Sequence, residues 1–281
     1  MIRELIPQHA TLVEGEGGLP KVVIRTEWSD AEIYLHGAHV THFQKKGEIP
    51  LLFLSAFSSY VSGKPIRGGI PIVFPWFGPK EGFSAHGYAR TTEWTLSEYA
   101  LSSNGEVMMH FLLPSAEVLK AELIVRIGQK LSLEMIVTNH GANAATFENC
   151  LHTYFRIGAI SAVSIQGLAG ATYLDQITSE TSTEGAEPIT ITGEVDRVYL
   201  NSTSTVQISD HQLGRTIRLT KSGSNSTVLW NPWIVKSQRM PDLGDTEYLQ
   251  MLCVESGNLA SNRITLAPGQ QATLELEISS A

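Results

Sequence analysis

The side chains best suited to proton chemistry lie on two short segments. If Glu148-Asn-Cys-Leu-His-Thr-Tyr154 is a strand, Glu148, Cys150, His152 and Tyr154 share one face, because side chains alternate at a period of two. In Met251-Leu-Cys-Val-Glu-Ser-Gly257 the same alternation groups Met251, Cys253 and Glu255. Ionisable side chains on an inward face suit a pocket wall. The matching Cys-x-His and Cys-x-Glu spacings suggest two neighbouring strands on one cavity. An imidazole and a carboxylate placed there could act as acid and base. The plainer readings are an outward face with a lone histidine, and a carboxylate at the solvated end of a strand.

Other segments add binding chemistry. Arg67-Gly-Gly-Ile-Pro-Ile-Val-Phe-Pro-Trp-Phe-Gly-Pro79 is dense in Gly, Pro and aromatics, which proline keeps out of a central ladder; it reads as the lip of a cavity. Ala85-His-Gly-Tyr-Ala-Arg90 follows it, either as part of that lip or as a turn with a satisfied His86 and a surface Arg90. Trp230-Asn-Pro-Trp233 could stack an aromatic face on a sugar ring or simply pack a corner. Asp196, at the start of Asp196-Arg-Val-Tyr199, fits a surface or capping role. His36, His39 and His42 do not make a metal site, because on a strand positions 36 and 39 point to opposite faces. Cys150 beside His152 is a poor nucleophile–base pair, since i,i+2 side chains on a strand run parallel.

The elements that must hold these residues are strands. Ala121, Leu123, Val125 and Ile127 alternate with Glu122 and Arg126. Leu131, Leu133, Met135 and Val137 alternate with polar residues, as do Ala272, Leu274, Leu276 and Ile278. Shorter runs fall at 21–26, 31–35, 107–113, 213–219, 226–230 and 248–254, with turn signals such as Ser103-Asn-Gly105 and Ala267-Pro-Gly269 between them. No long helical stripe appears. The pattern predicts an all-β sandwich or barrel. The polar stretch 178–188 reads as a surface loop, and 1–281 as a single domain.

Composition narrows the function. Lys and Arg number 20 against 28 Asp and Glu, a net charge of −8, which disfavours nucleic acid or an anionic membrane as partner. The two cysteines, Cys150 and Cys253, form no disulfide framework and are expected to be reduced, buried and dispensable. No apolar run is long enough to span a bilayer, and the N-terminus lacks the apolar core of a signal peptide. A cytoplasmic monomer is expected.

In order along the chain, Arg67-Gly-Gly-Ile-Pro, His86-Gly-Tyr-Ala-Arg90, the strand ending near His152, Asp196-Arg, Trp230-Asn-Pro-Trp233 and Glu255 resemble the aldose 1-epimerase superfamily. The likeness is to its hexose-6-phosphate mutarotase branch and covers nearly the whole chain. It implies a large twisted antiparallel β-sandwich of the galactose mutarotase type, working without cofactor or metal on the anomers of an aldohexose 6-phosphate. By motif match, His152 would be the catalytic acid and Glu255 the base. Arg67, Arg90, Asp196 and Trp230 would bind substrate, with His86 lining the site. Ala85 stands where relatives often carry Gln.

The chemistry suits these residue types. Opening a pyranose takes a proton from the C1 hydroxyl while the ring oxygen receives one, which one carboxylate and one imidazolium can do. A protein of net charge −8 must hold a sugar phosphate with focused donors, and the guanidinium forks of Arg67 and Arg90 fit phosphate oxygens. Three competing readings remain. A non-catalytic carbohydrate-binding sandwich would use the tryptophans alone. A mutarotase of unphosphorylated aldoses would not need the arginines. A glycoside hydrolase would need a second carboxylate beside Glu255.

Overall fold

The computed structural model describes residues 2–115 and 117–281. Nearly all regular structure is antiparallel sheet. A five-stranded meander runs in chain order from Arg3–Ile6 to His39–Lys45. An eight-stranded sheet has Gln271–Ser280, Leu131–Asn139 and Leu119–Ile127 at its centre. A third sheet carries Val195–Leu200, Ser226–Asn231, Met251–Asn258, Asn149–Leu151 and Ile72–Val73 as successive neighbours. The one α-helix among the described residues is the short Trp233–Ser237. No helix of these residues is long and apolar enough to cross a membrane.

The alternation seen in the sequence sets the packing. Leu119–Ile127 and Leu131–Asn139 bury every second residue, all apolar but Asn139, and leave the others half-exposed. The buried apolar side chains join the main buried cluster together with Leu151, Phe155, Leu229, Leu252 and Val254 from the third sheet. The third sheet is covered on its other face as well. There Cys150, Tyr154, Val198, Val228, Trp230, Met251 and Cys253 form a second buried cluster. All eight residues of Met251–Asn258 are therefore buried, with opposite parities assigned to the two clusters.

The structure corrects some local expectations. The segment 148–154 is not one continuous strand: it divides into Asn149–Leu151 and Tyr154–Arg156, with His152 and Thr153 between them. Proline has no N–H, so the neighbouring ladder cannot continue through Pro71. Instead the Pro71 carbonyl accepts the His152 N–H at 3.0 Å. The stretch 178–188 is not all loop, because Thr181–Thr183 pairs with Thr172–Leu174. Its three residues are exposed, so it carries no apolar alternation to betray a strand. Glu255 is not the solvated end of its strand but lies within it, 1% exposed.

Candidate active site

Strand register brings the proton-carrying groups together. Leu151 pairs with Ser256 and Tyr154 with Cys253, so His152 falls directly across from Glu255. His152 Nε2 lies 3.3 Å from Glu255 Oε1. Both side chains reach a cavity of about 400 Å³. Every residue expected to bind or catalyse lines it: Arg67, His86, Arg90, His152, Asp196, Trp230 and Glu255. Ala85 lines it too. A larger hollow, about 480 Å³, lies beside Trp76, Phe83 and Phe147, but no histidine lines it, so it lacks the acid–base pair.

Aromatic rings fix the imidazole of His152. It stacks on Tyr154 at 4.8 Å and 8°, and Trp230 meets it edge-on at 6.1 Å. His86 approaches from the lip at 5.9 Å. The His86 backbone is left-handed, with φ 65°. The Gly78 N–H donates to its Nδ1 at 3.3 Å, which leaves the proton of the neutral ring on Nε2. Burial, with Arg90 and Arg67 nearby, drops the His86 pKa to about 3, so this ring is neutral.

The lip is held by close backbone approaches. Gly87 has φ 74°, and a Cβ there would sit 1.8 Å from the Phe74 carbonyl oxygen. At Gly69, φ 61°, a Cβ would meet the Val40 carbonyl oxygen at 2.3 Å. His39 Nε2 donates to the Gly68 carbonyl at 2.7 Å, pinning the loop that presents Arg67. Glu148, expected on the pocket face, instead accepts the N–H groups of Phe77 and Ala260 at 2.9 and 2.7 Å, anchoring the lip from behind.

The cations differ in their commitments. Arg67 donates to Tyr154 Oη at 2.8 Å and to Asp242 Oδ2 at 3.0 Å. Burial works against its charge, but Tyr154 and Asp242 more than offset this and hold the guanidinium ionised. Arg90 Nη2 donates to the Ala85 carbonyl at 2.8 Å; burial lowers its pKa to about 10, still charged at neutral pH. Lys236, from the short helix, reaches Asp196 at 3.2 Å and Glu194 at 3.3 Å. Asp196 thus faces the cavity and not the outer surface. Burial raises its pKa, and Lys236 opposes the rise.

Burial also governs the His152–Glu255 pair. It pushes His152 well below its ordinary value, helped by His86, Arg90 and Arg67, and pushes Glu255 well above the carboxylate range. Burial thus opposes both the imidazolium and the carboxylate, against the attraction of opposite charges that was expected to favour them. The donor atoms of His152, Cys253 and Glu255 lie within 4.8 Å of one another, the one such trio among the described residues spaced as a metal site would be.

Sequence reasoning missed Lys236, Gln176 and Met240 on the cavity wall and Asp242 behind Arg67. Gln176 follows strand Thr172–Asp175, whose burial pattern shows no periodic signal. Lys236 comes from a helix of only five residues and Asp242 from irregular chain, where no spacing rule marks a site.

The fold is that of the galactose mutarotase-like proteins. One from Lactobacillus casei superposes with a TM-score of 0.70 at 17% identity, covering 93% of this chain and 100% of the other. A Salmonella typhimurium structure provisionally described as a mutarotase has a TM-score of 0.90 at 28% identity, over 100% of this chain and 96% of that one. A Cenchrus ciliaris protein provisionally named glucose-6-phosphate 1-epimerase is 38% identical over 286 aligned residues, 95% of this chain and 87% of the relative. Residues 20–279 match the aldose 1-epimerase family, and the chain belongs to that family.

Proposed function

We propose that this chain interconverts the α and β anomers of an aldohexose 6-phosphate, glucose 6-phosphate foremost. The observation that carries this reading is the His152–Glu255 pair, 3.3 Å apart at a cavity that Arg67 and Arg90 also line. The relatives that share its family and carry the glucose-6-phosphate 1-epimerase name support the same substrate class.

Glu255 takes the proton of the C1 hydroxyl as the C1–O5 bond breaks, and His152 gives a proton to O5. The open-chain aldehyde turns about C1–C2, and closure returns both protons. The pair must begin with its proton on His152. After burial, the positive field of Arg90 and Arg67 disfavours imidazolium, and a phosphate dianion held there offsets that part. Asp196 accepts a sugar hydroxyl, Trp230 offers its face to the ring, and His86 Nε2 donates to a hydroxyl. No charge builds up on an oxygen that would require a metal or a cofactor.

The reading covers residues 1–281 as one domain acting as a cytoplasmic monomer; a main cluster with members from Ile6 to Ile278 supports the first part. A second reading, free aldoses as substrates, draws on Arg67 being already occupied by Asp242 and Tyr154. Exchange spectroscopy by NMR on glucose 6-phosphate and on glucose separates the two. The expected result is faster exchange of the phosphate, lost by about 10²–10⁴-fold in His152→Ala and in Glu255→Gln. Unchanged exchange in both folded variants would defeat the mechanism.

A further inference from the structure

Behind the proposed base lies a thiol that the reaction does not use. Cys150 is fully buried on the strand next to Glu255, and its Sγ donates to Glu255 Oε2 at 3.4 Å. Oε1 is thereby the oxygen left to face His152. Room for this diagonal contact comes from Gly257, directly opposite Cys150 in register. A Cβ at 257 would lie 2.9 Å from Cys150 Sγ and 2.4 Å from the Asn149 carbonyl oxygen. A side chain there would collide with the thiol and with the neighbouring backbone.

We propose that Cys150 is a positioning residue, whose thiol holds Glu255 with Oε1 toward the sugar and favours its ionised form. This rests on Glu255 being the base. A donor to a carboxylate stabilises the anion, so the thiol acts against the burial that favours the protonated acid. Several other groups bear on this balance. His152 faces Glu255 across the strands, Asp196 raises its pKa from two strands away, and Arg90 lowers it from the lip. Cys253, on the same strand, is buried beside it. On the far side, Lys221 faces Cys150; its ammonium donates to the Ser226 carbonyl and to Thr227 Oγ1 at 2.8 and 2.7 Å. The two thiols, both expected to be dispensable, thus part company: Cys150 touches the base, whereas no hydrogen bond ties Cys253 to it.

The test compares wild type, Cys150→Ala, Cys150→Ser and Cys253→Ala. A thiol is a weak donor, so Cys150→Ala should lower kcat roughly fivefold with KM nearly unchanged, and move the acid limb of the rate profile upward by about half a pH unit or more. Cys150→Ser, with a stronger donor of similar size, should restore the limb to the wild-type position or below. Cys253→Ala should stay within about twofold of wild type throughout. Independently of activity, the ¹³C carboxyl signal of Glu255, assigned against Glu255→Gln, should titrate highest in Cys150→Ala. Superimposable limbs and carboxyl titrations in wild type, Cys150→Ala and Cys150→Ser would overturn the proposal. If Cys150→Ala fails to fold, the comparison of Cys150→Ser with wild type decides. A carboxyl signal that shifts as expected in a protein inactive on sugar phosphates would uphold the thiol contact and defeat the proposed activity instead.

Discussion

Arg67 and Asp242, 175 residues apart in the chain, meet at 3.0 Å beside the cavity, while the other arm of the same guanidinium holds Tyr154 at 2.8 Å. One arginine thus orients the ring that stacks on His152. Arg90 has no such double commitment; its one hydrogen bond is to the Ala85 carbonyl. The two arginines, alike in the sequence, are unlike in what their removal disturbs.

Replacing Arg90 by Ala should therefore raise KM for glucose 6-phosphate about ten- to a hundredfold, as for a lost charge-assisted hydrogen bond, and change turnover of free glucose little. Arg90→Lys should recover only part of this, since an ammonium lacks the fork. Arg67→Ala should harm both substrates, because it also frees Tyr154 and leaves Asp242 without its cation. It should cost about 1–3 kcal/mol of stability as well. Steady-state kinetics on both sugars, with urea unfolding of each variant, checks this. Equal selectivity losses in the two variants would contradict it.

Salt should act on the same contacts. Raising ionic strength from about 0.01 M to 0.15 M shortens the screening length from about 30 Å to about 8 Å. KM for the sugar phosphate should rise while KM for the free sugar stays level. A parallel rise in both would mean that salt acts on the fold and not on the charged ligand.

His39 makes stability depend on pH. It is fully buried against the Gly68 carbonyl, and burial depresses its pKa from 6.5 to about 3. Between those values the unfolded chain binds a proton that the folded chain does not. The neutral ring's contribution is complete above about pH 6.5 and is lost as pH falls, by up to about 4–5 kcal/mol near pH 3. His86 adds in the same direction. Urea midpoints from pH 7.5 to 5 should fall, and His39→Gln should flatten the slope by up to one proton. An unchanged slope would show that other groups dominate.

Gly87 should tolerate no side chain. Gly87→Ala forces both φ 74° and a 1.8 Å contact with backbone at Phe74, and the obstacle cannot rotate away. A loss of about 2 kcal/mol or more is expected. Gly82→Ala is the control. Its φ is 75°, but nothing lies within 4 Å of the place a Cβ would take, so only the conformational cost of about 1–2 kcal/mol applies. Calorimetry on the two variants should rank them in that order.

Much of this was legible in the chain. Alternation at 119–139 and 271–280 marks the central strands because one face is buried and the other wet. The shared face of Met251, Cys253 and Glu255 was also legible, as was the idea of two facing strands. The break at His152 was not, since it falls opposite Pro71, just before the neighbouring strand Ile72–Val73. Nor were Asp242 and Lys236, whose roles exist only once distant segments meet. The electrostatics of the pair were legible only in part: the sequence shows opposite charges but not the burial that acts against both.

The proposed base lies within a paired strand, and the proposed acid is bracketed by the pairs Leu151–Ser256 and Tyr154–Cys253. The pairing on either side of His152 sets which side chain it meets across the strands, Glu255 at 3.3 Å. Such a catalyst needs no closing step to assemble these two groups. Heat should accordingly leave its turnover intact until the sheet itself melts, and the temperature at which activity vanishes should coincide with the cooperative loss of near-ultraviolet dichroism.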